Sequence, residues 1–135
     1  MMLDLPKSRL RRLALLGLSA WFLLNGLNHF VSTDVYVSIM PLYLLAPLTL
    51  VYISGIFEIL GGLGVLHPQT RRLAGWGLIA LLIAIFPANI EMARRSEEFA
   101  EIASARVLYA RLPLQLVFIA WVYLAALWKP SKDAA

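Results

Sequence analysis

Glu58 stands alone as a charge in residues 50–66, an apolar run long enough to cross a membrane. A carboxylate at such depth is costly unless it is protonated, paired or wetted, which makes it the first candidate for a site. Its chemistry is that of a proton donor, a ligand anchor or a hydrogen-bond hub. A second group lies upstream, where Trp21, Asn25, Asn28 and His29 are spaced by four, three and one and so share one helical face. Carboxamides donate and accept hydrogen bonds, and an imidazole exchanges protons near neutral pH. Asn89, Arg111 and Gln115 add polar groups in or beside two further apolar runs. The expected ligand-binding pocket is therefore Asn25, Asn28, His29, Glu58, Asn89, Arg111 and Gln115, with no catalytic residue assigned.

Other chemistries fit less well. Ser54 precedes Glu58 by one helical turn and is expected to bond it rather than to act as a nucleophile. One histidine with carboxamides and a single carboxylate is a poor metal or haem set, and His67 belongs to the opposite surface, so no metal site is expected. The chain has no cysteine, which removes disulfides and thiolate-held clusters. The glycine-rich stretch Gly61-Gly62-Leu63-Gly64 lacks the strand and the Lys-Ser/Thr ending of a nucleotide loop and reads as helix packing.

The elements that must position these groups are membrane helices. Of the 135 residues, 61% are hydrophobic and 15% charged, and mean hydropathy is +0.76, well outside the range of soluble domains. Four runs approach the roughly 20 residues that a bilayer core demands, at about 13–31, 46–66, 73–90 and 112–128. The expected fold class is all-α: one domain over residues 1–135, a polytopic membrane protein forming a four-helix bundle. His67-Pro68-Gln69-Thr70 makes a tight turn between the second and third spans, and Pro113 suits the first turn of the fourth. Lys7, Arg9, Arg11 and Arg12 precede the first span, Arg71 and Arg72 sit in the short turn, and Lys129 and Lys132 follow the last. None lies between spans one and two, and the remaining four, Arg94, Arg95, Arg106 and Arg111, lie between spans three and four among Glu91, Glu97, Glu98 and Glu101. The positive-inside rule then places both termini in the cytoplasm. The same distribution assigns the net charge of +4 to topology and lipid headgroups, not to nucleic acid. The first span resembles a signal peptide in its basic head, but its length and its polar far end favour retention.

Between spans one and two, residues 32–43 are too apolar for a free loop and are expected to lie in the interface with their tyrosines at the headgroup boundary. Residues 92–109 read as a charged helical extension, with Glu91/Arg95 and Arg94/Glu98 as i,i+4 pairs and Phe99, Ile102 and Val107 on one side. Gly77, Ala80, Ala84 and Ala88 form a small-residue stripe expected to meet another helix. At about 1.5 Å rise per residue, Glu58 falls within about 3 Å of the midplane and Asn25 about 5 Å above it. Asn28, His29, Asn89 and Gln115 fall about 7 to 11 Å above it, and Arg111 about 14 Å. All seven then line one outward-opening cavity floored by Glu58.

Asn25-Gly26-Leu27-Asn28-His29-Phe30, Ser54-Gly55-Ile56-Phe57-Glu58-Ile59-Leu60-Gly61-Gly62, Arg71-Arg72-Leu73-Ala74-Gly75-Trp76-Gly77, Phe86-Pro87-Ala88-Asn89-Ile90 and Leu112-Pro113-Leu114-Gln115 occur in this order. Together, over residues 13–128, they make a chain that resembles the DoxX-like family of small four-helix membrane proteins. The resemblance implies a four-helix bundle and thinner expectations for activity. The family takes its name from a subunit of a thiosulfate:quinone oxidoreductase, other members accompany redox enzymes, and distant animal relatives assist assembly of ligand-gated channels. The expectation is an integral subunit, in a bacterial inner membrane, whose polar pocket binds a quinone or another small lipophilic ligand beside a redox complex. It would be a non-catalytic or quinone-site subunit of an oxidoreductase if it takes part in an enzyme at all. The alternatives are an assembly factor contacting a client membrane protein and a small proton-coupled carrier, which would require a homo-oligomer.

Overall fold

The computed structural model describes residues 6–101 and 104–129, all of them helix, turn or irregular chain with no strand. The expected Ile102 and Lys132 contributions lie outside these residues. Four helices are long and apolar enough to cross a membrane: Arg9–Val31, Pro47–Gly64, Arg71–Arg94 and Ala105–Leu127. We label them α1 (Arg9–Val31), α3 (Pro47–Gly64), α4 (Arg71–Arg94) and α5 (Ala105–Val122, continued by a π-helical turn Tyr123–Leu127), with a short α2 (Thr33–Ser38) after α1. The chain is thus an all-α bundle built as an integral membrane protein. Leu24, Leu60, Ile83 and Leu116 point out of it, as they must where the surroundings are acyl chains.

The helices overrun the apolar windows because a helix continues past its last apolar residue when something caps or snorkels its end. Ser8 caps α1 by accepting from the Arg11 amide, and Arg11 Nε reaches the Ala125 carbonyl at 3.2 Å. That carbonyl belongs to the π-helical turn, where the ordinary ladder is disturbed. At the other end α5 begins at Ala105 because Ser104 accepts from the Val107 amide. Pro113, expected in the first turn, consequently lies inside α5. It leaves the Tyr109 carbonyl without its helical donor.

The expected helical extension over residues 92–109 is not one helix. α4 ends at Arg94, residues 95–101 turn, and α5 restarts after Ser104. The reason is burial: turning the chain drops Phe99 into a small cluster with Met92, Ala93 and Leu108, backed by Ile39 and Leu112. The charge pairs shift accordingly. Arg94 meets Glu91 at 3.8 Å and Arg95 meets Glu98, both three residues apart instead of four. The Arg95 hydrogen bond holds the Glu98 carboxyl below its ordinary range.

Packing is closest between α1 and α3, where glycines let backbones approach. A Cβ on Gly26 would meet the Gly55 carbonyl at 2.8 Å, and one on Gly62 would meet the Ser19 carbonyl at 3.1 Å. Ser19 Oγ donates to the Gly62 carbonyl at 2.7 Å across the same seam. The turn over residues 65–70 brings α4 antiparallel to α3, where Gly61 receives the Leu78 side chain. The main core, Leu15, Leu18, Phe22, Leu78, Leu82 and Val122 among others, fills the half of the bundle toward this turn. The expected stripe on α4 does not pack within the chain. A Cβ on Gly77 would meet nothing within 4 Å, and Ala80 and Ala84 are exposed, because α4 turns Gly75, Leu78, Ile79 and Leu82 inward instead.

Candidate functional site

The polar residues gather in the half of the bundle that carries α2. Glu58 is 2% exposed, held on α3 beside the glycine seam. Asn25 Nδ2 donates to its Oε2 at 2.8 Å. His29 Nε2 lies 3.5 Å from its Oε1, and His29 Nδ1 lies 3.0 Å from the Val51 carbonyl oxygen. The expected Ser54 contact is replaced by these two: α1 crosses α3 closely enough at Gly26 and Gly55 to bring Asn25 and His29 onto the carboxyl.

A carbonyl can only accept, so the Val51 contact is satisfied when His29 Nδ1 carries hydrogen. Nε2 then faces Glu58 Oε1 across 3.5 Å. With one proton shared between imidazole and carboxyl, such a buried pair is neutral overall.

Tyr36, a residue sequence reasoning put at the headgroup boundary, belongs to the site. The chain reverses at Ser32, and α2 folds back so that the Tyr36 ring stacks on His29 with centroids 4.0 Å apart. Its hydroxyl donates to Asn25 Oδ1 at 3.2 Å and accepts from Asn28 Nδ2 at 3.1 Å. Burial pushes the Tyr36 hydroxyl above its ordinary range, keeping it a neutral donor. Asn28, expected in the pocket wall, is exposed and reaches the site only through Tyr36. It continues the chain of bonds to Ser32 Oγ, which donates to Asn28 Oδ1 at 3.0 Å.

A second polar pair comes from α4 and α5. Asn89 Nδ2 donates to Gln115 Oε1 at 2.5 Å, and Gln115 Nε2 donates to the Leu82 carbonyl. Pro87, inside α4, deprives the neighbouring Ile83 carbonyl of its helical donor. Gln115, not Asn89, is the side chain that supports the α4 backbone here.

Between the two pairs lies a cavity of about 340 Å³ bordered by Trp21, Asn25, Glu58, Asn89, Arg111 and Gln115. Apolar side chains complete its wall: Phe22, Leu82, Ile85, Leu114 and Phe118. A smaller space of about 120 Å³ adjoins it under α2, against His29, Tyr36 and Ser54. Arg111 touches both spaces, and its Nη1 has the Met92 sulfur as acceptor at 3.7 Å. The structure thus brings Asn25, Glu58, Asn89, Arg111 and Gln115 to one cavity and His29 to its annex, and leaves Asn28 outside. Among the described residues, no cluster of three or more His, Cys, Asp or Glu could hold a metal.

The groups can hold one proton, donate hydrogen bonds and seat an apolar body. No curated protein and no solved structure matches the chain. A family model covers most of it, matching residues 18–126 from within α1 to the π-helical turn, and every residue of the cavity wall lies inside that match. The chain belongs to DUF8561, the family described as a domain of unknown function.

Proposed function

We propose that this is an integral membrane protein, a DoxX-like one by the resemblance above, whose cavity binds a small lipophilic ligand through a hydrogen-bonding head group. The observation that carries the reading is the buried Glu58–His29 pair, 3.5 Å apart, at the edge of a largely apolar cavity. Cavities of a few hundred Å³ with few convergent polar groups suit such ligands. The α2 half faces outward in this reading, both termini are cytoplasmic, and the membrane is a bacterial inner membrane.

A quinone is the expected ligand, and the residues present fit its head: Arg111 and Asn89 have N–H groups left to donate to carbonyl oxygens, and Trp21 offers a ring face. A quinone, when bound, supplies two-electron, two-proton redox chemistry to a partner enzyme. The chain's own part is to hold the head, keep Asn25 and Tyr36 aligned on Glu58, and present the shared proton at Glu58 Oε1. Lipid extraction of the purified protein, with native mass spectrometry, is expected to find one such molecule per chain. Glu58→Gln keeps a donor and an acceptor at this position but removes the exchangeable proton. It is expected to abolish quinone-coupled turnover of the partner. A protein free of lipophilic ligand, with the variant fully active, overturns the reading.

The second reading, an accessory or assembly protein docking a membrane partner, is favoured by the open α4 stripe at Gly77, Ala80 and Ala84. Small residues facing the bilayer permit another helix to approach closely. Photo-crosslinking from position 80 in native membranes is expected to capture one partner or a second copy of this chain. Labelling by lipid alone removes this reading.

A further inference from the structure

Exposed Arg111 brings a positive charge to the rim of the cavity. The buried carboxyl on the same cavity, Glu58, is taken up by Asn25 and His29. Arg111 borders the same space and makes no ion pair among the described residues, its one hydrogen bond going to a thioether, a weak acceptor. Of the outer carboxylates, Glu91 pairs with Arg94 and Glu98 with Arg95. A guanidinium beside a low-dielectric cavity gains most from a planar singly charged anion, which its fork binds through two parallel bonds. Asn89 retains a second amide hydrogen and its carbonyl oxygen on the same wall.

The cavity also has a side door. α1 and α5 are tied at the other end of the bundle, by Trp121 Nε1 donating to the Ala14 carbonyl at 3.0 Å and by the Arg11 bond to Ala125. Midway they are joined by the Trp21 and Phe118 rings, stacked with centroids 5.1 Å apart. Beyond that stack α1 meets α5 little, and the wall there is made by Trp21 and Leu114, each 47% exposed on the outside of the bundle. An apolar tail can leave the cavity between these two residues directly into the acyl layer.

Resting on the reading of this cavity as a ligand site, and in place of a quinone as its occupant, the geometry points to a single-chain amphiphile with a carboxylate head as its ligand class. The head pairs with Arg111 and Asn89, and the chain exits between α1 and α5. A doubly charged phosphate head would overcompensate one guanidinium.

The test uses the full chain in detergent micelles and reads tryptophan quenching by a brominated long-chain fatty acid and by its methyl ester, which share a tail and differ in head charge. The acid is expected to bind at least about tenfold more tightly than the ester, because a bidentate guanidinium–carboxylate pair adds to the shared tail contacts. Arg111→Gln is expected to erase that preference, Arg111→Lys to retain part of it, and Trp21→Phe to remove most of the quenching. Equal binding of acid and ester, a preference that survives Arg111→Gln, or a brominated alkyl phosphate binding as tightly as the acid overturns the carboxylate assignment while leaving the pocket reading intact. Binding of neither probe, nor of a neutral quinone analogue, overturns both.

Discussion

The two halves of this bundle solve the same packing problem with opposite chemistries. Toward the 65–70 turn, Leu15, Leu18, Leu78 and Val122 are essentially inaccessible and fill the space between helices. Toward α2, α1 and α3 stay close at Gly26 and Gly55, and a cavity of about 340 Å³ is left between Glu58 and Asn25 on one side and the Asn89–Gln115 pair on the other. α1 shows the contrast within one helix, presenting Leu15, Leu18 and Phe22 inward before turning the same side into Asn25 and His29. The difference teaches where stability and function reside: the apolar half can hold the fold, and the polar half is free to stay partly open.

Substitutions in the two halves should therefore separate stability from binding. The largest loss is expected from Leu18→Ala, which leaves a cavity in the filled half and should cost about 4 kcal/mol, read as thermal or denaturant unfolding in one detergent. Ligand retention at low temperature should be unchanged. Next comes His29→Ala, which removes the proton-sharing partner of a buried carboxyl and should cost about 3 kcal/mol. If it costs nothing, Glu58 is wetted and the neutral-pair description is wrong. Tyr36→Phe removes one hydrogen bond to Asn25 and should cost about 1 kcal/mol, with a larger effect on ligand affinity than Leu18→Ala produces.

The smallest effect belongs to the surface between α4 and α5. The Glu98 carboxyl is lowered by its hydrogen bond from Arg95, so its contribution is present above the ordinary carboxylate range and is lost as pH falls through the lowered value. Carboxyl NMR should show Glu98 titrating at lower pH than the same residue in Arg95→Gln, with no change at Glu58. Coincident titration in the two proteins would remove the Arg95 pair from the account.

Much of this arrangement was readable in the sequence. Hydropathy located all four spans because lipid-facing helices must be apolar on every side. Glu58, Asn25 and His29 announced themselves as polar residues in apolar runs, and depth along each helix brought Asn89, Arg111 and Gln115 to the same level. What escaped were features set by chain reversal and by partners in space. Tyr36 turned inward because α2 folds back at Ser32, and residues 92–109 broke into two helices because burying Phe99 outweighs continuing a charged helix. The α4 stripe meets no helix of this chain at Gly77, Ala80 and Ala84, since small residues mark a surface that can pack and composition does not say whether the partner lies in the same chain. Asn28 fell outside the cavity because it sits on the exposed side of α1 and reaches the site only through Tyr36.

The central claim is that the space between Glu58 and Arg111 is a ligand site and not a packing flaw. A high-resolution cryo-EM map of the protein in nanodiscs of native lipid tests it most directly. The account predicts non-protein density with its head between Glu58, Asn89 and Arg111 and its tail passing between Trp21 and Leu114, absent after Glu58→Leu. Side chains closing over an empty space, or density for water alone in that cavity, would contradict it.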